Sequence, residues 1–235
     1  MKRLRRSLLI ISGNNPKSIQ DAPVFDPDVV IFDLEERVAP QDKDSARNLV
    51  REALSFLDYS QVEVMVRVNP LDTDEGQKDV DRIARVKPGA LIIPKANEQV
   101  IKQVEGILTK IEKEEGFPVG SVEVIPVLET AFGIENINQL MGSSPRVTGL
   151  WFNGEGLMAE FGTQRTKEGA ELYFVRGRVG IACRAAGIDA IDTIFLDGND
   201  YEGLANDASA AKRLGFTGKL ALDGRQVDTL NAIFQ

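Results

Sequence analysis

The residues best suited to chemistry in this chain stand where short apolar runs stop. "VVIFDLEER" leaves Asp33, Glu35 and Glu36 behind its last strand-like residues, and "MVRVNP" carries Arg67 and Asn69. "LIIPK" ends on Lys95, "VIPVLET" on Glu129, and "LWFNGEG" on Asn153 and Glu155. Ser12, Asn14, Asp197 and Asp223 follow other such runs. An arginine inside an apolar strand is costly to bury unless it is paired. Its planar fork suits a carboxylate, either that of a small acid ligand or that of Asp33 or Glu35 in a structural ion pair. Glu129 offers a hard oxygen donor for Mg2+, which keeps several waters and takes one or two protein carboxylates plus substrate oxygens. The alternative for Glu129 is a rim ion pair with Lys95 or Arg67. Lys95 is of the right type for a Schiff base, but a rim ion pair is its expected role.

Composition removes other chemistries. There is no histidine, which excludes His-based acid–base catalysis, His metal sites and Ser-His triads together. The one cysteine, Cys183, lies in "VGIACRAAGI" and reads as a small buried hydrophobe rather than a nucleophile. A single cysteine excludes an internal disulfide and fits a reducing compartment. A formal net charge of -8 argues against a nucleic-acid surface, which needs a positive field. A small anion held by a few arginines remains compatible with it. The basic start "MKRLRR" precedes an apolar run over 7–11 that is too short for a signal sequence. No segment approaches the roughly 18 apolar residues of a membrane span. The expectation is a cytoplasmic protein with neither nucleic acid nor membrane as partner.

The elements that must position these residues alternate along the chain. Strand candidates are 7–12, 28–33, 62–68, 90–94, 122–129, 147–152, 190–195 and 218–222. They are near-continuous apolar runs, as in parallel sheets buried on both faces. Amphipathic patterns at 43–57, 97–116 and 166–187 read as helices. No long linker or low-complexity stretch interrupts the 235 residues, so one domain, 1–235, is expected. Eight strands alternating with helices suggest a (β/α)8 TIM barrel, for which roughly 250 residues is typical. An open doubly wound sheet is the runner-up, but no GxGxxG follows the first strand. In such a barrel the active site lies at the C-terminal ends of the strands, where the residues above would converge.

Several segments, in order, resemble one family. "RRSLLIISGNNP", "VVIFDLEERV", "VRVNPLDT", "IIPKANE", "LETAFGIEN" and "GTQRTKEGAELYFVRGRVGIACRAAGIDAIDTIF" together resemble the citrate lyase beta subunit family. The resemblance runs from about Arg5 to Ile233. It implies a TIM barrel that assembles as a homotrimer, serves in a lyase complex, and carries Mg2+ at the strand ends. It implies cleavage of a 3-hydroxyacyl thioester, such as a citryl thioester on coenzyme A or an acyl carrier protein. The products would be an acetyl thioester and an oxo acid such as oxaloacetate. By position, Arg67 is implied as the substrate clamp and Glu129 as a Mg2+ ligand. Glu35 and Glu36 are the implied catalytic acidic pair, orienting Arg67 or metal-bound water. Asn14, Gly154 and Glu155 are implied to bind substrate.

The chain also departs from that pattern. The family usually reads Gly-Ala-Glu-Asp-Tyr where this chain reads Asn153-Gly154-Glu155-Gly156-Leu157. Glycine thus stands at the aspartate that supplies a second Mg2+ ligand, which implies weaker metal binding. Glu155 is the expected substitute ligand beside Glu129. The sequence ends at Gln235, and the expectation is a barrel without the C-terminal lid of longer relatives. Two alternatives follow from these departures. One is an aldolase or thioesterase acting on a small oxo or hydroxy acid. The other is a catalytically degenerate barrel serving as a binding or assembly subunit.

Overall fold

Eight short strands pair in sequence order, all parallel, and β1 pairs with both β2 and β8 to close a barrel. The strands of this computed structural model, which describes residues 4–235, are β1 (Ser7–Ser12), β2 (Val29–Asp33), β3 (Glu63–Arg67), β4 (Ala90–Ile93), β5 (Glu123–Leu128), β6 (Gly149–Phe152), β7 (Asp189–Asp192) and β8 (Gly218–Ala221). Met1, Lys2 and Arg3 of the basic start lie outside the described residues. The expected TIM-barrel architecture is the observed one, and the open sheet is excluded by the β1–β8 pairing. Among the described residues no helix is long and apolar enough to cross a membrane.

Strand alternation sorts the side chains into two apolar layers. Leu8, Ile10, Ile31, Met65, Ile92, Val127, Trp151, Ile191 and Leu220 fill the barrel interior. Leu9, Val30, Phe32, Val66, Leu91 and Phe152 face outward into the larger core beneath the helices. Continuing the inward parity past each last apolar residue brings Asp33, Arg67, Glu129 and Asn153 to the same C-terminal mouth. The opposite end is plugged by Arg5, whose guanidinium bonds Glu63 at 2.7 and 2.9 Å and lies 3.4 Å from Asp189. The backbones of β1 and β8 approach so closely there that a Cβ at Gly218 would sit 1.8 Å from the Arg5 carbonyl oxygen. Only glycine fits.

The helices differ from expectation mainly at one place. Lys43–Phe56 and Glu98–Glu115 match the amphipathic patterns. The pattern at 166–187 does not become helix until Tyr173. Gly169 adopts a left-handed φ of 64°, and Thr166 donates its backbone N–H and hydroxyl to Glu171 at 2.6 and 2.8 Å. These local bonds hold residues 166–169 in an irregular loop, and one 3-10 turn, Ala170–Leu172, leads into the helix. β7 also stops three residues short of the expected 195, because its pairing ends at Ile191 with Trp151 and at Asp192 with Lys219.

The outer faces of β7 and β8 are not apolar throughout. Lys219, fully buried, donates to Asp192 at 2.6 Å and to the Thr193 carbonyl at 2.6 Å, and pairs with Asp207 at 2.7 Å. Arg176 grips Asp192 with two bonds of 3.0 and 2.9 Å and reaches Asp207 at 2.8 Å. This network ties helices Tyr173–Ala186 and Tyr201–Arg213 to the barrel wall.

Candidate active site at the barrel mouth

Arg67 occupies the centre of the mouth. It is the last residue of β3 and the register partner of Asp33 on β2. Its Nε donates to Asp33 Oδ1 at 2.8 Å and its Nη2 to Asp33 Oδ2 at 2.6 Å. Nη2 also donates to Glu36 at 3.0 Å, and Nη1 lies 3.3 Å from Glu35 Oε2. The guanidinium carbon sits 5.1 Å from the centroid of Trp151, so cation–π attraction adds to the carboxylate contacts. Burial works against the Arg67 charge. The hydrogen bond and charge of Asp33, with Glu35 and Glu36, outweigh it and hold the guanidinium well above its ordinary pKa. Both sequence-level roles for Arg67 therefore have a footing. The ion pair with Asp33 is formed, and Nη1 forms no hydrogen bond among the described residues.

Asp33 also builds the loop that carries the acidic pair. It accepts the backbone N–H of Glu35 at 2.8 Å and of Arg37 at 3.2 Å. Glu35 is thereby set against the guanidinium. Its Oε2 is buried and has no hydrogen-bond partner. Burial, the largest influence, pushes the Glu35 carboxyl up; Arg67 pulls it down, and the charges of Glu129, Glu36 and Asp33 push it up again, to about 7. A carboxyl in that range exchanges protons near neutral pH.

Glu129, just past β5, faces the same space. Its Oε1 accepts the backbone N–H of Lys95 at 2.8 Å, and its Oε2 accepts Asn153 Nδ2 at 2.9 Å. The bond from Lys95 holds that residue in a left-handed conformation, φ 47°. Such a backbone is rare for a residue with a side chain and persists only where surroundings enforce it. The expected rim ion pair of Lys95 does not form; its side chain is exposed and it contributes through its backbone.

Glu155, the expected second ligand, contacts Arg165 rather than Glu129. It sits in the first turn of helix Gly154–Glu160, and Arg165 draws its carboxylate to 3.4 Å. Arg165 is itself fixed by the Ile194 carbonyl and by Asp207 at 3.3 Å. Gly154 is buried and donates its N–H to Thr193 Oγ1 at 3.1 Å, so that amide is engaged by the protein. Asn14 is exposed at the end of β1, where its Oδ1 accepts from Ser12 at 2.7 Å. Asn69 is a tether, donating its backbone N–H to Asp79 at 2.9 Å and its side-chain amide to Asp79 at 2.7 Å and the Leu34 carbonyl at 2.9 Å. Asp223 pairs with Arg225 at 2.8 Å in a turn.

Trp151, which the sequence did not single out, and Asn153, which it placed at the strand end without a role, complete the mouth. Trp151 supplies the face under Arg67, and its buried indole Nε1 has no acceptor. Asn153 caps helix Gly154–Glu160 through Oδ1 while Nδ2 holds Glu129. An asparagine before a Gly-rich helix start is a readable capping signal; its second partner is not. No three Cys, Asp or Glu side chains among the described residues form a ready metal cage. The donors still fit magnesium. Glu129 is a hard carboxylate, and Glu35, whose buried Oε2 forms no hydrogen bond among the described residues, adds with Glu36 and Asp33 more acidic groups than Arg67 alone balances.

The family model for HpcH/HpaI aldolase/citrate lyase matches residues 6–224. The chain belongs to this family of carbon–carbon lyases. It is 37% identical over 233 residues to citrate lyase subunit beta of Haemophilus influenzae, covering 99% of this chain and 80% of that one. Its fold matches the citrate lyase beta subunit complexed with oxaloacetate and magnesium from Mycobacterium tuberculosis with a TM-score of 0.81, at 26% identity over 99% of this chain and 97% of the other. Protein CitE of Mycobacterium tuberculosis in complex with magnesium, acetoacetate and coenzyme A matches with a TM-score of 0.81 and 26% identity, covering 97% of this chain and 80% of that one.

Proposed function

We propose that the barrel mouth cleaves a carbon–carbon bond in a citryl-type 3-hydroxyacyl thioester of coenzyme A or an acyl carrier protein, releasing an acetyl thioester and a small oxo acid. The observation that carries this reading is the ion pair between Arg67 Nη1 and a buried Glu35 oxygen, 3.3 Å apart at the strand ends and neither of them hydrogen-bonded among the described residues. Arg67 is the clamp. Pinned by Asp33 and stacked on Trp151, it cannot follow a solvent-facing partner, so Nη1 is presented to a carboxylate of the oxo acid in a fixed direction.

Glu35 is the base. It takes the hydroxyl proton of the substrate. The freed electron pair forms the oxo carbonyl, the adjacent carbon–carbon bond breaks, and its electrons pass to the thioester enolate. The proton then returns from Glu35 to that carbon, giving the acetyl thioester. Glu36, bonded to Nη2, orients the guanidinium, and Asn14 stands at the substrate's rim. Magnesium would be held by Glu129, and when bound it supplies positive charge for the developing oxygen charge of the oxo acid.

The same reading places the protein in the cytoplasm, supported by its free, buried cysteine. It also makes it a homotrimer within a lyase complex, supported by the exposed apolar side chains of Phe174 and Ile181 on one helix. The test is calorimetric titration of oxaloacetate in the presence of Mg2+. The native protein should bind, and Arg67→Gln should weaken binding by about 10- to 100-fold, the 1–3 kcal/mol of one charged hydrogen bond. Equal binding by the two would remove the clamp and with it this reading.

A further inference from the structure

We infer that Asn153 is the second protein ligand of the cation site, its amide oxygen taking a place for which this chain has no second carboxylate. The inference rests on the proposed magnesium-dependent function and specifies how the chain would hold the cation.

Three observations converge. First, Asn153 is 5% exposed and its amide is 2.9 Å from Glu129 Oε2. It therefore touches the one carboxylate at the mouth to which the metal is assigned. Second, an amide carries a donor and an acceptor at nearly identical positions, and its terminal torsion is soft. Without a cation, Nδ2 faces the Glu129 carboxylate. With a cation on that carboxylate, a half-turn presents Oδ1 instead, a hard carbonyl oxygen of the kind that binds such ions. The half-turn gives up both side-chain bonds, the 2.9 Å bond from Nδ2 to Glu129 and the 3.3 Å cap from Gly156 N, and the bond from Oδ1 to the cation replaces them.

Third, Gly156 and Asn153 form one arrangement. A Cβ at Gly156 would stand 2.9 Å from Asn153 Nδ2, 2.9 Å from Glu129 Oε2 and 3.0 Å from Glu129 Cβ. A side chain at 156 would crowd the amide and the carboxylate where they meet, so one or the other must shift. The bare glycine is what admits Asn153 to the site. Glu155 is turned to Arg165, 3.4 Å away.

A neutral second ligand leaves more of the cation's charge for the substrate. Mg2+ alone should therefore bind weakly, and much more tightly once a dianionic oxo acid shares it.

The experiment is Mg2+ calorimetry on the full chain, with and without oxaloacetate, for the native protein, Asn153→Ser, Asn153→Asp, Gly156→Ala and Glu129→Gln. Serine and aspartate both keep the helix cap, so helix Gly154–Glu160 should persist, and thermal melting checks that it does. Gly156→Ala reaches the same contact without altering the amide. Asn153→Ser and Gly156→Ala should weaken Mg2+ in the presence of oxaloacetate by about 10- to 100-fold. Asn153→Asp should tighten Mg2+ in its absence. Native-like Mg2+ affinity in both Asn153→Ser and Gly156→Ala, with binding lost in Glu129→Gln, would overturn the inference alone. No Mg2+ binding by the native protein even with oxaloacetate would overturn the inference and the proposed function together.

Discussion

Asp33 holds Arg67 by two parallel hydrogen bonds, Nε to Oδ1 at 2.8 Å and Nη2 to Oδ2 at 2.6 Å, with both side chains at most 2% exposed. The pair joins adjacent strands in register. It fixes the guanidinium while leaving Nη1 out of the bidentate contact. The clamp and the ion pair are two faces of one residue rather than competing roles.

Removing one member of that pair strands a buried charge. Asp33→Ala should cost about 3–5 kcal/mol of stability, read as a lower midpoint in urea unfolding. Asp33→Asn keeps the shape and should cost less, yet it should weaken oxaloacetate binding because the guanidinium loses its fixed direction. Unchanged stability in Asp33→Ala would show that Glu35 and Glu36 suffice to hold Arg67.

Glu35 gives a pH dependence with a definite sign. Its carboxyl titrates near 4.5 when unfolded and about 7 when folded, so the native state favours the protonated form. Stability from this group is complete below about 4.5 and is lost as pH rises through 7, by up to about 3 kcal/mol. Glu35→Gln should therefore stabilise the protein at pH 8 and do nothing near pH 4 in thermal melts. The native rate of thioester cleavage should rise to a plateau above about 7, and the variant should be roughly 100- to 10,000-fold slower with no such rise. A native profile flat from 5 to 9 would exclude Glu35 as the base.

Behind β7 and β8, Lys219 has no exposure and lies between Asp192 and Asp207. Burial pushes the Asp207 carboxyl up, but Lys219 and Arg176 outweigh it and hold the group far below the usual carboxylate range. Lys219→Ala should cost about 3–5 kcal/mol, measured by denaturant unfolding. Its effect on oxaloacetate affinity should be small, since the network faces the helices. A variant of native stability would mean the two aspartates find another counter-charge.

Cys183 is buried. Burial, and after it the charge of Asp189, pushes its thiol up to about 12. A thiol reagent should leave it untouched in the native protein and modify it on unfolding. Rapid native modification would contradict its packing.

The barrel was legible because parallel strands buried on both faces leave unbroken apolar runs, and β1 matches its expected bounds at 7–12. The ends of other runs misled by a residue or more where the backbone left the ladder, as after Asp192 in β7. The positions of Arg67 and Glu129 at the mouth followed from strand parity. The partners did not. Nothing in the sequence says that Arg165, ten residues past Glu155 and beyond a helix, bonds that carboxylate, nor that Asn153 reaches across to Glu129. Such pairings depend on helix exit angles and on the space left by a glycine, which spacing does not encode. The polar network around Lys219 was hidden for the same reason, being spread over β7, β8 and two helices.

The most direct test of the account is oxaloacetate release from citryl-coenzyme A by the purified full chain, with Mg2+ and with chelator, for the native protein, Arg67→Gln and Glu129→Gln. Release by the native protein that needs Mg2+ and falls at least about 100-fold in both variants is the predicted result. Release that is independent of Mg2+ and unchanged in both variants would contradict it, as would no release at all.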